Sequence, residues 1–321
     1  MTLTQIEQLE EERFIRSGFR GLQTLQELGV VLQESVSRLQ YFSNHSKHYY
    51  REYDQVQVNG KRRHIEMPVG ELKELQKKIA DHLLEHEQLP PYLSSPARGR
   101  SIITNAAAHR NRIQAGKIDI QNFFGNCRSS SVFRLFQEHF CSPEVCAVLT
   151  NILCYKGHLP TGAPSSPIMA FLSNERMFNE LYIITGVYFT RMGIWIDDLT
   201  LSCKWPNMMD KQLFGTIEFI LNFHGFRVKR RKSRLYPSNR PALLAGVIVL
   251  PNGERRHQNR LHKKWYDTKE AYRAAPATSA QKARLKQIMD SLKRLELDIL
   301  KSNRRWRRTH TLDPRHMTLS I

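Results

Sequence analysis

Apolar positions along the chain alternate between a helical and a strand period. Leu22, Leu25, Leu28 and Leu32 fall at helical spacing, and residues 11–39 are predicted to be helical. Over 53–58 polar and apolar residues alternate until Asn59-Gly60, a pair that accepts the positive φ angles of a two-residue hairpin turn. A second strand is predicted over 61–67, stopped by Pro68. Leu72, Leu75, Ile79 and Leu83 share one face of a helix over 71–85, and Pro90-Pro91 ends it. Near the C-terminus, Leu285, Ile288, Leu292, Leu295 and Ile299 form another helical seam, with Lys282, Lys286, Lys293 and Lys301 largely off it.

Two β-rich segments carry acids among apolar neighbours. Lys117-Ile118-Asp119-Ile120-Gln121-Asn122-Phe123-Phe124 reads as a buried strand with one acid. In Ile194-Trp195-Ile196-Asp197-Asp198-Leu199-Thr200-Leu201-Ser202 two adjacent acids interrupt a strand, and 186–192 can supply its partner. Adjacent buried acids are costly unless a turn or a cation relieves them. Taken singly, Asp197-Asp198 is explained by a polar turn and Asp119 by a satisfied core acid. Taken together, three carboxylates from two elements can hold two divalent ions about 4 Å apart for phosphoryl transfer. Magnesium suits such hard oxygen ligands. Between the two segments, Pro160, Gly162, Pro164 and Pro167 impose a rigid turn. Small Ser165 and Ser166 then let a helix through Ile168, Met169, Phe171 and Leu172 start close to a bound group, although structural punctuation alone would also account for it.

Composition narrows the partners. The 321 residues carry a formal charge of +19 with 40% hydrophobic residues, enough for a real core and against global disorder. Residues 251–321 hold 18 Lys and Arg against 7 Asp and Glu, so more than half of the excess lies in the last fifth of the chain. Nucleic acid is the first candidate partner and an anionic membrane surface the second. In the run over 301–308, Arg304, Arg305, Arg307 and Arg308 interleave with Trp306, a pattern suited to phosphate and base contact, the alternative being a solvated charged tail. No apolar stretch approaches the roughly 20 residues of a spanning helix. The N-terminus shows no basic segment leading into an apolar one, so no secretory leader is expected. Cys127, Cys141, Cys146, Cys154 and Cys203 have no paired spacing; reduced thiols in a cytoplasmic protein are expected, and a zinc site with His139 would lack the usual C-x-x-C pair.

The ordered set resembles a family. Asp119 with Phe123-Phe124, then Leu159-Pro160-Thr161-Gly162-Ala163-Pro164-Ser165-Ser166-Pro167, then Trp195-Ile196-Asp197-Asp198, stand in the order and spacing of reverse transcriptase motifs. Asn105-Ala106-Ala107-Ala108-His109 resembles the Asn-Ala-x-x-His signature of retron reverse transcriptases. The resemblance runs over about 53–250. It implies an α+β right-hand polymerase: an N-terminal helical extension (1–52), fingers and palm (53–250), and a basic helical thumb (251–321). By the same resemblance, Asp119, Asp197 and Asp198 are the catalytic acids holding two Mg2+ ions, joined by the carbonyl of Ile120. Phe124 matches the gate that rejects a ribose 2′-OH. Lys61 and Arg63 match the fingers cations on the incoming dNTP, Thr161 and Gly162 its further contacts, and Lys232 a palm lysine near the triphosphate. Asn105 and His109, four residues apart, are expected to meet the cognate RNA; a capped helix with a surface histidine is the alternative.

Three positions depart from the pattern. Thr161 stands where many relatives have Gln, Trp195 where the usual residue is Tyr, and Leu244-Ala245-Gly246 where retrons carry Val-Thr-Gly. The implied function is RNA-directed synthesis of multicopy single-stranded DNA (msDNA) from a structured noncoding RNA. It would be primed from a guanosine 2′-OH and serve antiphage defence alongside a separate effector protein. The protein would stay bound to its RNA–DNA product. Two alternatives remain: a reverse transcriptase of another bacterial defence or intron-related group, and an inactive RNA-binding scaffold. The complete acid set argues against the scaffold.

Overall fold

A computed structural model describes residues 19–56, 60, 62–110, 112–205, 207–276 and 280–310, with backbone alone at 260 and 306–310. Among the described residues the first two helices are α1 (Leu25–Leu32) and α2 (Val36–His45), where the apolar spacing predicted one helix over 11–39. Residues 11–18 of that prediction lie outside the described residues. The break has a local cause. Gln33 takes a left-handed conformation (φ 53°), and the Glu34 N–H turns back onto the Gly29 carbonyl at 2.9 Å. A Cβ on Gly29 would stand 2.6 Å from the Glu34 carbonyl oxygen, so this reversal needs glycine there. Thr24 and Glu27 form a capping box at the start of α1, and Ser35 caps α2.

Strands β1 (Tyr50–Val56) and β2 (Arg62–Pro68) form the predicted antiparallel hairpin. Helix α3 (Gly70–His86) buries Leu72, Leu75, Ile79 and Leu83, the face foreseen from the sequence. There follow β3 (Leu93–Ser95), α4 (Ile102–Ala108), β4 (Gln114–Asp119), α5 (Phe123–Asn126), α6 (Ser129–Glu138), α7 (Pro143–Leu153), α8 (Ser166–Leu172) and α9 (Glu175–Val187). Next come β5 (Thr190–Trp195), β6 (Asp198–Cys203), α10 (Lys211–Phe223), β7 (Arg234–Tyr236), β8 (Ala242–Leu244), β9 (Val247–Val249) and β10 (Arg255–Arg256). Helices α11 (Asn259–Ala274) and α12 (Ala280–His310) end the described chain. The class is mixed α+β. Among the described residues no helix is long and apolar enough to cross a membrane.

The central sheet has the order β3-β5-β6-β4-β7, antiparallel except for the β3–β5 pair. Gly116 in β4 lets one face close on helix α10 and the segment before it: a Cβ there would lie 2.6 Å from Met209 Cε and 3.1 Å from Phe214 Cζ. One large core joins α1, α2, α3 and α7 to the sheet through Leu28, Leu39, Leu72, Leu149, Ile118 and Leu199. The N-terminal helices thus contribute to the same core as the strands that carry the acids. A second core collects Ile103 and Ala106 of α4, Ala242, Leu244, Val247 and Val249 of the β8–β9 hairpin, and Ile299 of α12. β10 pairs with β9 across residue 251, so the sequence boundary drawn there falls inside a three-stranded sheet. The seam on α12 holds: Ile299 is buried and Leu285, Ile288, Leu292 and Leu295 are half-buried, while Lys286, Lys293 and Lys301 are exposed.

Candidate active site

Antiparallel register brings the acids together. β4 and β6 pair from Gln114↔Cys203 to Asp119↔Asp198, so the two carboxylates leave opposed positions at the same end of the sheet. β5 and β6 form a tight hairpin with Ile196 and Asp197 at its tip. Ile196 sits at φ +58°, a left-handed conformation that costs a β-branched residue about 1–2 kcal/mol. The tip is fastened to the exit of β4, where the Ile120 N–H donates to the Asp197 carbonyl at 3.0 Å. On the other side of β4, the Lys229 N–H donates to the Asp119 carbonyl at 2.7 Å and the Gln121 N–H to the Arg227 carbonyl at 2.8 Å. These bonds bring the following turn, with Lys232, over Asp119.

Two lysines meet the acids. Lys232 Nζ stands 2.9 Å from Asp119 Oδ2, and Lys117 Nζ 2.8 Å from Asp198 Oδ2. The sequence reading included Lys232 and missed Lys117. A sufficient signal existed: Lys117 lies two residues before Asp119 on one strand and so shares its face. The pairing leaves charge uncompensated. Asp198 Oδ1 is buried with no hydrogen-bond partner. Burial, then the charges of Asp198 and Asp119, push the Asp197 carboxyl up to about 6. Burial also raises Asp198, opposed chiefly by Lys117. Three crowded carboxylates, one with an orphaned oxygen and one pushed toward neutrality, fit a site for hard divalent cations. Ile120, directly after Asp119, is buried beside them.

The remaining predicted residues divide. Phe124 is half-buried at the start of α5, five residues after Asp119, and packs against the main core. The loop carrying Thr161 and Gly162 joins the β1–β2 hairpin: the Glu66 N–H donates to the Thr161 carbonyl at 2.9 Å. Gly162 (φ +125°) leaves room for that contact, since a Cβ would lie 3.2 Å from the Glu66 carbonyl oxygen. His158 Nε2 to Glu66 (2.9 Å) and Lys156 Nζ to Glu52 (2.7 Å) fasten the hairpin further. Arg63 is exposed on β2, and Lys61 lies outside the described residues. Arg304 and Arg305 are exposed on α12; the side chains of Arg307 and Arg308 lie outside the described ones.

Asn105 and His109 require a correction. Both were expected to face RNA, yet Asn105 is 3% and His109 0% exposed. α4 turns them against the central sheet, where hydroxyls of β3 and β6 take up their polar atoms. Neither side chain can touch RNA in this conformation. The Leu244-Ala245-Gly246 segment forms the two-residue turn between β8 and β9, with positive φ at both Ala245 (45°) and Gly246 (89°).

A protein-family profile described as reverse transcriptase (RNA-dependent DNA polymerase) matches residues 47–249. The chain is 30% identical over 204 residues to the retron Ec86 reverse transcriptase of Escherichia coli, covering 62% of each chain. It is 25% identical over 278 residues to the retron Mx162 reverse transcriptase of Myxococcus xanthus, covering 76% of this chain and 57% of that one. It is 32% identical over 149 residues to the retron Se72 reverse transcriptase of Salmonella heidelberg, covering 45% and 38%. The matches thus span less than two thirds of the length of these relatives.

Proposed function

The chain belongs to the reverse transcriptase (RNA-dependent DNA polymerase) family, and from that membership we propose that it copies RNA into DNA at Asp119, Asp197 and Asp198. The observation that carries this reading is the Asp119↔Asp198 register pair with Asp197 at the adjoining tip. The three carboxylates and the Ile120 carbonyl would hold two magnesium ions, which when bound supply Lewis acidity at the attacking 3′ hydroxyl and the departing pyrophosphate.

The protein's own groups do the positioning. Lys117 holds one oxygen of Asp198 and leaves the buried, unpartnered Oδ1 for the cation. Lys232 is 54% exposed, so its ammonium can turn from Asp119 to a triphosphate oxygen. Arg63, with Lys61, would clamp the triphosphate from the hairpin that the Glu66–Thr161 bond holds in place. Phe124 would lie under the sugar and reject a 2′-OH. The exposed basic face of α12 would grip the duplex backbone.

The finer reading follows the retron relatives. The template is a structured noncoding RNA, priming is from a guanosine 2′-OH, and the product is msDNA to which the protein stays bound, in antiphage defence with a separate effector. Primer extension by purified protein with its neighbouring RNA tests the chemistry. Wild type should incorporate dNTPs with Mg2+, and the Asp197→Asn/Asp198→Asn protein should not; equal incorporation by both would sink the assignment. A co-purifying RNA carrying a 2′,5′ branch supports the retron reading, whereas a linear product places the protein in another reverse transcriptase group.

A further inference from the structure

The buried polar cluster behind the acids has no part in the polymerase scheme above. On β6, Asp198, Thr200 and Ser202 alternate onto one face, so whatever fixes Thr200 and Ser202 also fixes the strand that presents Asp198. Thr200 Oγ1 meets three groups: Asn105 Oδ1 at 3.0 Å, the Gly193 carbonyl at 3.0 Å and His109 Nε2 at 2.8 Å. The first two only accept, and threonine has one proton to give. His109 Nε2 therefore donates to Thr200, and Nδ1 accepts from the Ser202 hydroxyl at 2.8 Å. The opposite tautomer would leave both acceptors facing threonine lone pairs. Burial first, then Arg191 and Arg112, hold His109 down at about 3, so the ring is neutral and this arrangement persists at working pH. The Asn105 amide closes the set by donating to Ser94 Oγ of β3 at 3.0 Å.

The cluster leaves no slack. A Cβ at Gly193 would lie 2.8 Å from Asn105 Nδ2, 2.9 Å from Thr200 Oγ1 and 3.1 Å from His109 Nε2. The helix that delivers Asn105 also buries Ile103 and Ala106 against the β8–β9 hairpin and Ile299 of α12. One short helix thus joins the basic C-terminal helix to the strand of the acids.

We propose that Asn105 and His109 are positioning residues for the metal-binding acids, acting through Thr200 and Ser202 rather than on RNA. The proposal rests on the polymerase reading of the acids, and the test separates the two. The full chain and its Thr200→Val, Ser202→Ala, His109→Leu and His109→Gln variants are compared on poly(rA)·oligo(dT), which carries no cognate RNA feature. Thr200→Val and His109→Leu should lower kcat at least tenfold, with KM for dTTP and Kd for the duplex within twofold of wild type. They should also shift the Mg2+ midpoint upward. His109→Gln, which keeps a donor toward Thr200, should recover much of the loss, and the milder Ser202→Ala should lose less.

A second readout needs no turnover: Tb3+ bound at the acids, excited through Trp195, should bind several-fold more weakly to His109→Leu. Unchanged kcat and Tb3+ affinity with weakened duplex binding would overturn the proposal in favour of RNA contact. Losses of kcat that track only the folded fraction would reduce the cluster to a structural role and overturn it too. A wild type that binds Tb3+ but extends no primer would instead count against the polymerase reading, while the Tb3+ comparison still decides the positioning.

Discussion

Asp119 and Asp198 face each other across β4 and β6, and each carboxylate is met by a lysine from a different place: Lys232 from a distant turn, Lys117 from the same strand as Asp119. Like charges directly opposed in an antiparallel pair are destabilising. The two ammonium groups offset part of that cost, and Asp197 at the tip restores it.

The first consequence concerns Asp197 and pH. Its carboxyl, ordinarily near 3.8, is raised to about 6 in the fold. Between these values the unfolded chain ionises while the folded chain keeps its proton, so the group's contribution to stability is lost as pH rises through that window. At pH 7.5 without divalent ions, Asp197→Asn should therefore be more stable than wild type by about 3 kcal/mol. Urea denaturation checks this. The difference should shrink toward pH 4 and also when Mg2+ is added.

Lys117 is only 14% exposed and its partner Asp198 18%. Lys117→Met leaves Asp198 without its cation in a partly dry site, and should cost about 2 kcal/mol in the absence of metal. Thermal melts should show the loss, and Mg2+ should restore a large part of it. Extension should slow even at saturating Mg2+, because the Asp198 rotamer is no longer fixed.

Gly162 has φ +125°, and a Cβ there would lie 3.1 Å from Ile65 Cγ2. Gly162→Ala should cost about 1–2 kcal/mol through backbone strain. The push on β2 should also raise KM for dNTP several-fold while kcat changes little, as steady-state kinetics would show.

Phe124→Ala should admit ribonucleotides. The measurement is the ratio of dNTP to rNTP incorporation, which should fall by an order of magnitude or more, about 1.4 kcal/mol per tenfold. An unchanged ratio would leave Phe124 as a core aromatic packed beside Phe123.

Replacing Arg304, Arg305, Arg307 and Arg308 with Gln should weaken duplex binding at low salt. The slope of log K against log salt should become shallower by about 2–4. An unchanged slope would return the run to a solvated helix end.

Much of this arrangement was legible in the sequence. The helix over 71–85, the β1–β2 pair and the α12 seam follow from periodicity, because burial of one face writes itself into spacing. The acids were legible because carboxylates inside apolar strands are costly and so conspicuous. Lys117 was overlooked although strand alternation pointed to it. The break at Gln33 was hidden because its glycine, Gly29, lies inside the preceding helix and acts through a close approach of the Glu34 carbonyl, not at the turn itself.

The sequence by itself determined the β1–β2 strands, the helix over 71–85, the ordered acids and the basic C-terminal helix, since these rest on local spacing and side-chain chemistry. Only the tertiary structure decided which way Asn105 and His109 face. Their four-residue spacing puts them on one helix face, and spacing says nothing of what that face meets. The packing of α4 between the sheet and the β8–β9 hairpin turned a polar pair inward, where Thr200 and Ser202 satisfy it. Long-range register likewise set Asp119 against Asp198, through 78 residues of intervening chain that no local pattern could measure.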